Sequence, residues 1–356
     1  MKLLHSADLH LDSPFSGLPE DQARFLKAEL LKVPAALASL CLSERCDLVL
    51  LSGDLFDGPC TRKSLDALRD ALAEMIVPVF IAPGNHDFCD AKSPYLTESW
   101  PENVRIFKKP FLEYYDLPEL SCRVYGAGFT SMDAPAMLKG FHAEGENCYK
   151  IAVLHGDPTS GHSPYCPITT AQVTESGLDY LALGHIHKGN GFQAGNSLCA
   201  WPGCPMGRGF DETGVKGALI VTFEDTVETR FQPLNTPRFY DLEANASGDC
   251  AEALKQVLPP APTCDFYRVT LTGEAEKADE AELRRLFPHI AHLEIRNRTM
   301  LPIDLWANAG EDSMEGTYFR ILKEAMEKAP DAHKDTVRLA ARISRQILAG
   351  QEVELP

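Results

Sequence analysis

Asp47-Leu48-Val49-Leu50-Leu51-Ser52-Gly53-Asp54-Leu55-Phe56-Asp57 is an unbroken aliphatic run that ends in a polar turn. Four consecutive aliphatic residues without alternation predict a strand over 47–52 that is covered on both faces, as in a sheet flanked by other layers. Working outward, residues 2–7 alternate and predict a first strand ending at Asp8. Residues 22–46 carry apolar side chains at helical spacing (Phe25, Leu26, Leu30, Leu31, Leu37, Leu40), with Pro34 placed to kink or split the helix. Residues 65–75 predict an amphipathic helix and 78–82 the next strand. This β-α-β-α-β opening puts the polar residues past each strand at the carboxyl edge of a sheet, where open α/β folds bind ligands.

Beyond residue 103 the pattern changes to short strands, at 104–107, 123–126, 149–155, 180–184, 197–200, 218–223 and 228–233. Many strands with few helices predict two sheets face to face between helices, a four-layer αββα sandwich of the α/β class. A small α+β cap follows, with strands at 266–271 and 292–296 around a helix at 280–286. From Ser313 the chain turns helical in two segments broken at Pro330. The expected organisation is therefore a sandwich over 1–238, a β-α-β cap over 239–304 and a C-terminal helical segment over 305–356.

Composition narrows the class. The net charge is −17, with 20 basic against 30 acidic residues up to position 239 and 14 against 21 beyond it. Neither part has the bulk positive potential of a general polyanion binder, so any affinity for one must be local. The 11 cysteines are scattered, and the tightest pairs, Cys41/Cys46 and Cys199/Cys204, lack zinc-ligand spacing. Asp8, His10 and Asp12 interrupt any apolar signal segment after Met1, and no apolar run is long enough to span a membrane. These features predict a cytoplasmic protein with reduced thiols.

Five strand ends carry metal-ligand residues: Asp8-Leu9-His10, Gly53-Asp54, Gly84-Asn85-His86-Asp87, Leu154-His155-Gly156 and Gly184-His185-Ile186-His187. Mixed imidazole and carboxylate donors suit Mn²⁺, Fe²⁺ or Zn²⁺ better than Mg²⁺ or Ca²⁺. One ion would take Asp8, His10, Asp54 and His187, the other Asp54, Asn85, His155 and His185, with Asp54 bridging. Two dications against two carboxylates leave local positive charge, which lets an acidic protein hold a phosphodiester and activate water against it. His86 follows a ligand directly and is the expected proton donor to the leaving alkoxide. Asp57 is expected to orient His86. His142, His162, His289, His292 and His333 lack such context and read as surface or structural.

As a set, these motifs identify residues 1 to about 235 as a member of the calcineurin-like metallophosphoesterases. The run His5-Ser6-Ala7-Asp8-Leu9-His10-Leu11-Asp12-Ser13-Pro14-Phe15 resembles the DNA repair exonucleases of the SbcD type, particularly the YhaO-like branch. Trp201-Pro202-Gly203, Gly207-Arg208, Glu212 and Lys216-Gly217 are similar to that branch too. The resemblance implies a Mn²⁺-dependent nuclease whose partners are DNA and an SMC-like coiled-coil ATPase of the SbcC/YhaN kind, reached through the C-terminal helices. It implies a cap that shapes DNA access, and dimerisation is common in the family. Some relatives carry histidine where Asp57 stands, so proton delivery here would rest on the Asp57–His86 pair. The protein Ser/Thr phosphatases follow this aspartate with arginine, where this chain has Gly58.

Lys334, Arg338, Arg342 and Arg345 fall on one face of the last predicted helix, a basic stripe suited to DNA phosphates or an acidic partner, unless it is simply a solvated face. Arg284, Arg285, Arg296 and Arg298 form a second basic candidate in the cap. Arg208 would either reach a substrate phosphate or pair with Glu212. The expected function is a DNA exonuclease, with a phosphodiesterase or phosphatase on small nucleotides or metabolites as the alternative.

Overall fold

The computed structural model describes residues 1–276 and 278–353. The chain forms two compact units, Met1–Phe239 and Tyr240–Pro356. In the first, the strands are β1 (Lys2–Ser6), β2 (Leu48–Leu51), β3 (Val79–Ile81), β4 (Val104–Ile106), β5 (Glu113–Leu117), β6 (Cys122–Gly126), β7 (Tyr149–His155), β8 (Tyr180–Gly184), β9 (Lys188–Ala194), β10 (Ser197–Gly203), β11 (Gly217–Phe223) and β12 (Val227–Pro233). They build two six-stranded sheets, ordered β12-β11-β1-β2-β3-β4 and β5-β6-β7-β8-β10-β9. The centre of each is parallel: β1, β2, β3 and β4 in one, β6, β7, β8 and β10 in the other.

Why the strands read as apolar runs is now plain. Leu48 and Leu50 of β2, Phe80 of β3, Val124 of β6, and Ile151 and Val153 of β7 share one cluster between the sheets. Ala152 and Leu154, the alternate residues of β7, pack into a second cluster with Val173 and Phe129. Val49 and Leu51 are buried as deeply as their neighbours. Both faces of the central strands are dry, so no polar alternation survives in the sequence. This two-sheet α/β sandwich is the predicted fold class.

The helices are α1 (Glu20–Leu30), α2 (Val33–Glu44), α3 (Arg62–Glu74), α4 (Pro94–Thr97) and α5 (Thr170–Glu175). The predicted long helix is split, and Pro34 sits in the first turn of α2, where its missing N–H costs nothing. Strands β5 and β9 escaped prediction. Both are sheet edges rich in exposed or glycine residues, and their pairing is supplied by a neighbour instead of by their own pattern.

The second unit holds β13 (Phe239–Asn245), α6 (Cys250–Val257), β14 (Thr263–Thr272), α7 (Glu280–Arg285), β15 (Ile290–Asn297), α8 (Met314–Lys328) and α9 (Asp331–Leu348). Its sheet is ordered β13-β14-β15, with β14 parallel to β15, and the helical break falls at Pro330. The predicted basic stripe on α9 needs correction. Arg342 is 4% exposed at its side chain, ion-paired to Glu274 and donating to the Leu301 carbonyl. Arg345 pairs with Glu315 and lies over the Phe319 ring at 3.6 Å. A guanidinium spreads several donors in a plane, and these two spend theirs inside the unit. Lys334 and Arg338 alone of the four stay largely outside, each beside an aspartate of α9. Among the described residues no helix is long and apolar enough to cross a membrane.

Candidate metal centre

The carboxyl ends of β1, β2, β3, β7 and β8 meet at one place, and backbone hydrogen bonds register their loops. Asp8 N–H donates to the Gly53 carbonyl (3.0 Å), His10 N–H to that of Asp54 (2.9 Å), and Asp57 N–H to that of Leu11 (2.8 Å). Asp87 locks the third loop on. Its carboxylate accepts from the backbone N–H of Gly84 (2.7 Å), Asp54 (3.2 Å) and Leu55 (2.7 Å), and from the Tyr95 hydroxyl (2.6 Å). Burial and the charge of Asp54 raise its pKa, and these donors oppose that rise.

The backbone is strained where the ligands sit. Asp8, His10, Asp54 and His185 all have positive φ (54°, 47°, 51° and 94°), each at a cost on the order of 1–3 kcal/mol. The loops are also too close for side chains at two glycines. A Cβ on Gly84 would lie 2.2 Å from Asp54 Oδ1, and one on Gly184 would lie 2.0 Å from the Ser52 carbonyl oxygen.

Among the described residues there are three sets whose ligand atoms lie within 4.8 Å of one another inside each set: Asp8, His10 and His187; His10, Asp54 and His86; and Asp8, Asp54 and His155. Asn85 Oδ1 joins them, 2.9 Å from His155 Nε2 and 3.2 Å from His185 Nδ1. His155 Nδ1 faces the Ser52 carbonyl (2.9 Å), which must accept, so the proton sits on Nδ1 and the Nε2 lone pair points at Asp54 Oδ2 (3.4 Å). His187 Nδ1 faces a carboxylate oxygen of Glu212 (2.6 Å), which leaves Nε2 bare 3.1 Å from His10 Nε2. Lone pairs converging on lone pairs and carboxylates are the donor set a divalent cation satisfies, so these residues fit a metal pair.

The electrostatics agree. Burial alone would lower His155, but Asp54 and Asp8 raise it to about 9; a field that holds a proton there also attracts a cation. Burial alone would raise Asp54, yet His155, His10 and the His86 N–H hold it well below the usual carboxylate range. Asp57 is held low by His10 Nδ1 at 3.7 Å and His86 Nδ1 at 2.9 Å. The Asp57 contact in turn raises His86, whose side chain is 46% exposed.

Residues 1–189 match the calcineurin-like phosphoesterase family, more than half of the chain. The chain belongs to that family. It is a family of phosphoester hydrolases that use a dimetal centre. Among its relatives, the uncharacterized metallophosphoesterase YhaO of Bacillus subtilis is 33% identical over 236 residues, 62% of this chain and 57% of that one. The DNA double-strand break repair protein Mre11 of Aeropyrum pernix is 32% identical over 205 residues, 52% of this chain and 49% of that one. SbcD, a component of the nuclease SbcCD of Bacillus subtilis, is 22% identical over 278 residues, 65% of this chain and 68% of that one. The chain thus spans about half to two thirds of the length of these relatives.

All seven expected ligands, and Asp57 with His86, are brought to this one place. Arg208 is there too. It forms the ion pair with Glu212 (3.0 Å), and its other guanidinium nitrogen lies 3.8 Å from Asp57 Oδ2. Arg338 and Arg342 belong to the second unit. Sequence reasoning missed three supporting residues: Asp87, Glu212 as the partner of His187, and His5. His5 is fully buried, with Nε2 2.6 Å from Ser52 Oγ and 3.1 Å from the Leu183 carbonyl oxygen, and Nδ1 2.8 Å from the Tyr180 hydroxyl. A histidine three residues before Asp8, directly after Leu3 and Leu4 in the first strand, was the available signal.

Proposed function

We propose that this chain is a two-metal phosphodiester hydrolase that degrades DNA, an exonuclease of the SbcD type acting in DNA repair. The observation that carries the reading is the convergence of Asp8, His10, Asp54, His155 and His187 on common centres beside a solvent-facing His86. The DNA substrate is supported by the likeness to relatives named as Mre11 and as part of a nuclease.

Asp8, His10, Asp54 and His187 would hold one ion, and Asp54, Asn85, His155 and His185 the other. Mn²⁺ is the proposed metal, with Fe²⁺ and Zn²⁺ the other ions this donor set accepts. When bound, such ions acidify a water and neutralise phosphate oxygens. The chain's own groups do the rest. Ser52 and Glu212 fix the tautomers of His155 and His187, so that bare nitrogens face the centre. Asp57 anchors the His86 ring through Nδ1, leaving its other nitrogen to hand a proton to the leaving alkoxide as the P–O bond breaks. Arg208, next to both Asp57 and His187, is placed to steady a substrate phosphate. The proposed partners are DNA, an SMC-like coiled-coil ATPase of the SbcC/YhaN kind, and a second copy of the chain.

A phosphodiesterase or phosphatase on small nucleotides or metabolites is the second reading, favoured by the net charge of −17. Mn²⁺-dependent digestion of linear DNA against hydrolysis of a bis-aryl phosphodiester, at equal enzyme, separates the two. Faster loss of DNA supports the nuclease; turnover of the small ester alone removes it.

A further inference from the structure

Strand β12 ends its sheet, with β11 on one side and an exposed edge on the other. The register shows which of its backbone groups are already used. Leu234 N–H donates to the Lys216 carbonyl (3.0 Å) and Glu224 N–H to that of Thr226 (3.2 Å), at the two ends of a ladder that pairs Gly217 with Pro233 and Phe223 with Val227. Bonded pairs alternate along an antiparallel ladder, so Glu228, Arg230 and Gln232 turn their N–H and C=O groups to β11. Val227, Thr229 and Phe231 turn theirs outward. Pro233 falls in the outward set, where its missing N–H takes nothing from the ladder.

Alternation sorts the side chains as well. Val227 packs against the core between the sheets. Phe231, on the same face and 41% exposed, lines a groove together with Val215, which is 47% exposed. Glu228 and Arg230 occupy the opposite face, where one guanidinium nitrogen of Arg230 reaches Glu44 (2.8 Å) and the side chain stays 54% exposed. An edge of this kind accepts another strand unless its side chains forbid one.

The sequence of β12 suits a copy of itself. Across a two-fold axis the strand meets itself antiparallel, and its outward residues must supply the bonds. A register centred on Glu228 sets that residue against the partner's Glu228, and one centred on Arg230 sets it against the partner's Arg230. Centring on Thr229 instead sets Glu228 against the partner's Arg230, and by symmetry Arg230 against the partner's Glu228. These are non-bonded positions, where facing side chains come closest. On the other face the same register sets Val227 against the partner's Phe231. Opposite charges and apolar pairs directly across a ladder are favourable and like charges are not, so a single register is selected. The net charge of −17 on each copy opposes association at long range, but salt screens it beyond about 8 Å, which leaves these contacts to decide.

We propose that β12 is a homodimer interface, at which two copies join edge to edge in the register centred on Thr229 and continue one sheet into the other. The proposal goes beyond the hydrolase reading and does not depend on it, because assembly is measured without substrate. The test is sedimentation velocity on the full chain over a concentration series, at physiological salt. Wild-type protein is expected to dimerise. Glu228→Arg sets like charges face to face at both symmetry-related positions and should raise the dimer dissociation constant roughly tenfold or more. Arg230→Glu acts in the same direction, and the double exchange Glu228→Arg/Arg230→Glu should return the constant toward the wild-type value. Thr229→Pro removes an outward N–H that β11 does not use, so the fold keeps its ladder while the dimer is lost. Wild-type protein that stays monomeric at every concentration overturns the proposal. A dimer whose constant none of these variants changes also overturns it, since another surface then joins the copies. A double variant no tighter than the weaker single one shows that the two charges do not face each other, and rejects the register.

Discussion

His5 gives the fold a specific sensitivity to acid. The ring lies between the two sheets, touching Ser52 beyond β2, and Tyr180 and Leu183 of β8. Burial lowers its pKa to about 3, against the Leu183 carbonyl, which favours the protonated form. Among the described residues the groups that hydrogen-bond it are two hydroxyls and a carbonyl, with no carboxylate to compensate a charge there. In the unfolded chain the same histidine titrates near 6.5. Between those two values the unfolded state binds a proton that the folded state refuses. Stability from this residue is therefore complete above 6.5 and is lost as pH falls toward 3. At about 1.36 kcal/mol per pH unit, lowering the pH from 7 to 5 removes about 2 kcal/mol. Other groups titrate in the same range, so the measurement is a difference between wild type and His5→Asn, which stays neutral. Urea unfolding followed by tryptophan fluorescence at pH 7, 6 and 5 gives both curves. His5→Asn is expected to be the less stable protein at pH 7, with the gap closing by about 2 kcal/mol at pH 5. A gap that stays constant over this range refutes the account.

Removing the proposed acid with His86→Ala is expected to abolish turnover while elemental analysis still finds two metals per chain; loss of an ion would make His86 a ligand. Asp57→Asn weakens the hold on His86 and should slow turnover at unchanged metal content, and an unaltered rate would dismiss its orienting role. Glu212→Ala takes away the acceptor that fixes His187, so calorimetric Mn²⁺ affinity should fall on the order of 10- to 100-fold; an unchanged dissociation constant would mean that the contact is incidental. Arg342→Met breaks the pair with half-exposed Glu274 and empties the Leu301 carbonyl, at a cost of about 1–3 kcal/mol in stability. Wild-type stability in that variant would return Arg342 to the surface role expected from its spacing.

The most local features were the most legible. The aliphatic run at 48–51, the helical spacing before and after Pro34, and the break at Pro330 are properties of neighbouring residues, and each reappears as an element. The ligand residues were legible as well, because every one sits within a few positions of a strand end. Harder to see was anything held by a distant partner. Arg342 looked like part of an exposed stripe because spacing reports which side chains share a helix face and not what that face meets.

From sequence alone came the residue types around the centre and the strands that carry them, since periodicity and chain neighbours are fixed by covalent order. Closing the chain decided the rest. Asp87 anchors its own loop to the one after β2, Glu212 reaches His187 across 25 positions, and His5 meets Tyr180 across 175. Such contacts depend on which surfaces bury one another, and burial is also what shifts His5, Asp54 and His155 away from their ordinary titration.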